Sequence, residues 1–137
     1  MFDLGDDIPR AGTAFSRWIG RAVFRWRGWK IEGALPNVPK MIVVVAPHTS
    51  NWDFCVGMCA VRALNLRVSW LGKHTLFRWP MGRMFTHLGG IPVDRASPHG
   101  MVGQIIAAFD RRDKLVVAIT PEGTRRSGSA WKRGFYH

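Results

Sequence analysis

The residues best suited to proton transfer lie in Pro47-His48-Thr49-Ser50-Asn51-Trp52-Asp53, where His48 and Asp53 stand five positions apart. A histidine that donates from one ring nitrogen to a carboxylate keeps the other nitrogen available as a general base near neutral pH. On one continuous helix the two side chains would point about 140° apart, so contact between them requires a turn. The same letters also suit a histidine at a strand end with Asp53 capping the helix that follows. Two further segments set arginine and carboxylate beside glycine: Gly89-Gly90-Ile91-Pro92-Val93-Asp94-Arg95 and Pro121-Glu122-Gly123-Thr124-Arg125-Arg126. A guanidinium presents a planar fork of donors that matches phosphate, and a nearby carboxylate can hold that fork or accept a substrate hydroxyl. Surface turns with incidental ion pairs would use the same residues.

Other chemistries find less support. Ser50, Ser97, Ser127 and Ser129 all lack the G-x-S-x-G setting of a serine-hydrolase elbow. Cys55 and Cys59 do not form a C-x-x-C pair or a zinc site by themselves, and they read as core thiols one helical turn apart. His74, His87 and His99 have no partner at ligand spacing, so no metal site and no role is expected for them.

The elements that must position these groups alternate along the chain. Between Ala11 and Trp29, the residues Phe15, Trp18, Ile19, Ala22, Val23 and Trp26 recur at helical spacing beside a stripe of Arg17, Arg21 and Arg25. This is the pattern of a basic amphipathic helix, and its apolar side suits either packing on the domain or insertion into a membrane interface. Met41 to Ala46 reads as a buried strand that ends at Pro47, and Asn51 to Leu64 as a helix with Ser50 or Asn51 as its cap. Val68 to Gly72 is a second strand; Phe77 to Gly90 is a loop or broken helix, with Trp79, Met81 and Phe85 as a second candidate insertion site; Ile91 to Val93 is a short strand. Ser97-Pro98 starts a helix whose stripe is Met101, Val102, Ile105, Ile106 and Phe109, and Leu115 to Thr120 is the last strand. Such alternation predicts an α/β fold with a largely parallel sheet flanked by helices and preceded by the amphipathic helix, with functional groups at the strand ends.

Composition sets the bounds. The 137 residues carry 20 Lys+Arg against 9 Asp+Glu, a formal net charge of +11, and are 47% hydrophobic, which suits one folded domain better than two or than disorder. Six basic residues and no acidic one lie between Pro9 and Ile31, and no carboxylate occurs from Phe54 to Val93. A face built from these stretches attracts anions: a membrane surface, a phosphorylated substrate or nucleic acid. Nucleic-acid binding lacks a reading element, since no helix-turn-helix, zinc-finger, RRM or KH signature is present. A basic membrane-surface or nucleic-acid-binding module without catalysis is the alternative, but it leaves His48, Asp53, Arg95 and Glu122 unexplained. Asp3, Asp6 and Asp7 stand where a secretory signal would be positive, and the longest apolar run is far below the roughly 20 residues of a membrane span, which points to the cytoplasm.

Taken together, the three motifs resemble the glycerolipid acyltransferase family, the membrane-associated 1-acylglycerol-3-phosphate acyltransferases and their relatives. His48 and Asp53 fall on the family's H-x4-D motif, Gly90 to Arg95 on its second motif, and Glu122, Gly123, Thr124 and Arg125 on its third. Lys73 falls on the lysine that precedes the second motif, and Lys132 with Gly134 resembles a pair that follows the third. The resemblance runs from about Met41 to the end of the sequence. It implies residues 1–40 as a membrane-interface segment and 41–137 as a catalytic domain that is C-terminally incomplete, since the family continues into a further strand and a fourth motif. It also implies acyl transfer from acyl-CoA or acyl carrier protein to the hydroxyl of lysophosphatidate or a related lysophospholipid, in phospholipid biosynthesis. His48 and Asp53 would be catalytic, and Arg95, Glu122, Gly123, Thr124, Arg125 and Lys73 would bind the acceptor phosphate. No cofactor or metal is implied, no nucleic-acid partner is expected, and the location would be peripheral on the cytoplasmic face of an anionic membrane.

Overall fold

The computed structural model describes residues 4–46, 50–94, 96 and 100–120. Among them, four strands form one all-parallel sheet: β1 (Lys40–Val44), β2 (Val68–Lys73), β3 (Gly90–Val93) and β4 (Leu115–Ile119), in the order β1-β4-β2-β3. The helices are α1 (Ala14–Arg27), α2 (Asn51–Leu64), α3 (Gly82–His87) and α4 (Gly100–Asp110), with a 3-10 turn at His74–Phe77. The α/β arrangement expected from the alternating pattern is therefore the fold, with α2, the 3-10 turn with α3, and α4 in the three crossovers that parallel strands require.

Register explains the two-sided core. Met41 and Val68 both pair with Val116, and all three share one face of the sheet, where Leu4, Ile8 and Leu66 are buried with Val61 and Leu64 of α2. Leu115 and Val117 point the other way and pack with Ala108 and Phe109 of α4, together with Leu71 and Ile91. Covered on both faces, Val116 and Val117 are among the most deeply buried side chains.

The N-terminal helix begins where Thr13 and Ser16 cap each other: Ser16 N–H donates to Thr13 Oγ1 at 3.2 Å, and Thr13 N–H donates to Ser16 Oγ at 2.9 Å. It ends at Gly28, whose φ of 67° suits the left-handed cap. α1 then packs along α2 at Gly20, where a Cβ would stand 2.6 Å from the Ala63 nitrogen and 2.8 Å from the Cys59 oxygen. The helices touch backbone to backbone at that point, and Arg21 Nε donates to the Ala63 carbonyl at 3.3 Å, satisfying an orphan acceptor at the end of α2.

Three expectations are corrected. Met41 to Ala46 is not a buried strand: β1 ends at Val44 and, among the described residues, lies at the sheet edge with β4 as its one strand neighbour, and Ile42 and Val44 are exposed. The stripe expected for α4 is also displaced, because the helix approaches the sheet through small Ala108 and leaves Met101, Val102 and Ile106 exposed. Cys55 and Cys59 are not core thiols; Cys55 is exposed and Cys59 half-buried, since both line a groove beside α1 rather than the sheet.

Candidate active site

Because all four strands run parallel, their C-terminal ends share one edge of the sheet, the usual place for ligands in open α/β folds. Every motif singled out in the sequence lies at or just after one of those ends. The segment holding His48 follows β1, Lys73 closes β2, Gly90–Val93 is β3 with Asp94 directly after it, and the segment holding Glu122 follows β4. The strand order sets the β4 end between the β1 end and Lys73, so the first and third motifs leave from neighbouring strands. His48, Arg95, Glu122, Gly123, Thr124 and Arg125 lie outside the described residues, as do Ser97, Pro98, Lys132 and Gly134.

Asp53 occupies the first turn of α2. One of its carboxylate oxygens, Oδ2, accepts the Ser50 N–H at 2.8 Å, so the capping contact that the sequence left open is present. A negative group in a first turn is also stabilised by the helix dipole. Phe54, the next residue, meets the Trp70 ring edge to face with centroids 5.2 Å apart, and this contact ties the start of α2 to the middle of β2. Trp70 in turn touches Phe77 and Phe85, and its indole donates to the Leu88 carbonyl at 3.1 Å. Gly90 admits this cluster to β3: a Cβ there would lie 2.8 Å from the Phe77 ring and 2.8 Å from the Phe85 carbonyl oxygen. The aromatic cluster therefore fixes α2, β2 and β3 relative to one another beneath the site.

A cleft of about 360 Å³ opens where β2 and β3 end, lined by Lys73, His74, Asp94 and Ala96. Lys73 pairs with Val93 in the sheet register, which carries the lysine to the second motif. His74, to which the sequence assigned no role, has its Nδ1 3.9 Å from Asp94 Oδ1. The same oxygen accepts the Ala96 N–H at 2.9 Å, the local turn that aspartate favours. Gln104 of α4 reaches the same place: its Oε1 accepts the Asp94 N–H at 2.9 Å, and its Nε2 donates to the Asp94 carbonyl at 2.8 Å and to the Gly100 carbonyl at 3.0 Å. Neither His74 nor Gln104 stood out in the sequence, because each finds its partners only through the fold.

A second groove of about 410 Å³ runs between α1 and α2, walled by Ile19, Phe54, Met58 and Leu88 with Cys55 and Cys59 along it. Its lining is mostly apolar, and it begins at the residue next to Asp53. On α1 the aromatic side faces away from α2: Phe15, Trp18 and Trp26 are 69%, 65% and 79% exposed. Ser16, Gly20 and Val23 occupy the side toward the domain. Trp79, in the connection between β2 and β3, is 90% exposed. Among the described residues, no helix is long and apolar enough to cross a membrane, and no group of three or more His, Cys, Asp or Glu could hold a metal ion.

Comparison with curated proteins and with solved structures gives no significant match. A family model described as Acyltransferase matches residues 31–137, which takes in α2, all four strands and all three motifs. By this match the chain belongs to the acyltransferase family, whose general chemistry is acyl transfer.

Proposed function

We propose that the protein transfers an acyl chain from acyl-CoA or acyl carrier protein to the free hydroxyl of lysophosphatidate or a related lysophospholipid, as a step of phospholipid biosynthesis. The observation that carries this reading is that every motif-bearing segment lies on or directly follows a strand ending on one edge of a parallel sheet, beside a cleft lined by Lys73, His74 and Asp94.

In this reading His48 takes the proton of the acceptor hydroxyl as its oxygen attacks the thioester carbonyl carbon, a contribution of about 10²–10⁴ in rate. Asp53 fixes the imidazole tautomer and stabilises the imidazolium. The tetrahedral intermediate then expels the thiolate, which recovers the proton from His48, and ester and free thiol leave without a covalent acyl-enzyme. Arg95, Arg125 and Lys73 hold the acceptor phosphate, Glu122 orients an arginine or a glycerol hydroxyl, and Gly123 and Thr124 supply the close backbone between them. The apolar groove next to Phe54 suits an acyl chain.

The substrates live in a bilayer, and the outward aromatic side of α1 supports work at an anionic membrane surface on its cytoplasmic face. Residues 1–40 then serve as the interface segment and 41–137 as the catalytic domain. An acceptor panel tests the headgroup assignment: with acyl-CoA as donor, lysophosphatidate is expected to outpace monoacylglycerol, which has the same free hydroxyl and no phosphate, by about tenfold or more, as charge-assisted phosphate contacts predict. Equal rates with both acceptors would remove the phosphate role of Arg95, Arg125 and Lys73.

A further inference from the structure

The sheet stops holding β3 at Val93, the last residue paired with β2, and Asp94 follows it at an edge strand. The backbone N–H and C=O there lie beyond the strand pairing with β2, and one side chain binds both. Through its 2.9 Å and 2.8 Å bonds, the Gln104 amide takes the place of a further strand residue, extending the ladder across Asp94. Its third bond, to Gly100, anchors the same amide to the first turn of α4, and Ala108 seats that helix in the core. A clamp of this kind transmits the rigidity of the α4–sheet core to the turn closed by Asp94 Oδ1 and the Ala96 N–H.

We propose that Gln104 is a positioning residue for acceptor binding. Its amide holds the main chain at Asp94, the residue directly before Arg95 in the chain, and so fixes the point from which the acceptor-phosphate ligand departs. The inference rests on the reading of Arg95 as a phosphate ligand and extends it to a residue outside the three motifs. Gln104→Met keeps the length of the side chain and removes all three hydrogen bonds, which makes it the informative variant.

The test measures acyl transfer with acceptor and donor varied separately, in the wild type, Gln104→Met, Arg95→Ala and the double variant. Gln104→Met is expected to raise the acceptor KM about tenfold while leaving the donor KM within about twofold, because a displaced phosphate ligand affects one substrate. In the Arg95→Ala background it should add nothing further, since a residue that acts through another is not additive with it. Exchange of the Asp94 amide hydrogen, read by NMR without substrate, should quicken in Gln104→Met, and Gln104→Ala serves as the second variant if methionine impairs folding. An unchanged acceptor KM, a loss that adds to that of Arg95→Ala, or equal rises in both KM values would overturn the positioning role and leave the acyl-transfer reading intact. If Arg95→Ala itself leaves the acceptor KM unchanged, the phosphate reading fails, and the role of Gln104 falls with it.

Discussion

In the proposed reading Asp53 has two jobs that a single substitution separates. The capping bond from the Ser50 N–H asks only for a side-chain oxygen, which asparagine also offers, whereas holding an imidazolium asks for charge. Asp53→Asn should therefore lower stability by no more than about 1 kcal/mol, read by thermal unfolding, yet reduce kcat by about 10²–10⁴. A variant that retains full activity would reduce Asp53 to a helix cap. Lys73→Ala should raise the acceptor KM about tenfold with little change in the donor KM, as loss of one charge-assisted contact predicts. Gly90 makes a purely structural contrast. The Phe85 carbonyl stands 2.8 Å from where a Cβ would be and cannot turn aside as a side chain can, so Gly90→Ala should cost about 1–3 kcal/mol in denaturant unfolding. The residues of the proposed site could be nominated from the sequence because histidine, aspartate and arginine beside glycine carry their chemistry in their letters. Gln104 and His74 were not, since an amide or imidazole acquires meaning only from the partner that the fold brings to it.

Among the elements, α1 poses the sharpest question. Its periodicity shows a two-sided helix and cannot say which side meets the domain, because apolar residues serve a core and a membrane equally. Packing at Gly20 settles the orientation: the close approach of α2 is possible on the side of Ser16 and Gly20, and this turns Phe15, Trp18 and Trp26 outward. The sequence misplaced β1 and the stripe of α4 for a related reason. A run of apolar letters looks the same in a central strand as in an edge strand, and strand order is not written locally. Replacing Phe15, Trp18 and Trp26 together by serine should leave the thermal transition nearly in place, because all three are exposed, but should weaken binding to anionic vesicles by about 100-fold or more, given about 1.5–3 kcal/mol for each inserted side chain. Undiminished sedimentation with vesicles would move the contact surface away from α1.

At the scale of the whole molecule, parallel topology and positive charge act together. Three crossovers, through α2, through the 3-10 turn with α3, and through α4, oblige all four strands to end on one edge, so segments far apart along the chain start from the same edge without any long-range signal in the sequence. In the proposed reading a net charge of +11 draws the protein toward anionic lipid, so vesicle binding should rise with the anionic lipid fraction and fall as salt shortens the screening length from about 10 Å at 0.1 M toward about 3 Å at 1 M. The central claim is that this sheet edge transfers acyl groups to a lysophospholipid with His48 as the base. Its most direct test follows a radiolabelled acyl chain from acyl-CoA to lysophosphatidate in vesicles, with wild type and His48→Ala side by side. Labelled phosphatidate from the wild type, reduced about 10²-fold or more in a folded, vesicle-bound His48→Ala, is the predicted result. Transfer at the wild-type rate by His48→Ala, or no product from a folded and vesicle-bound wild type with any lysophospholipid acceptor, would contradict it.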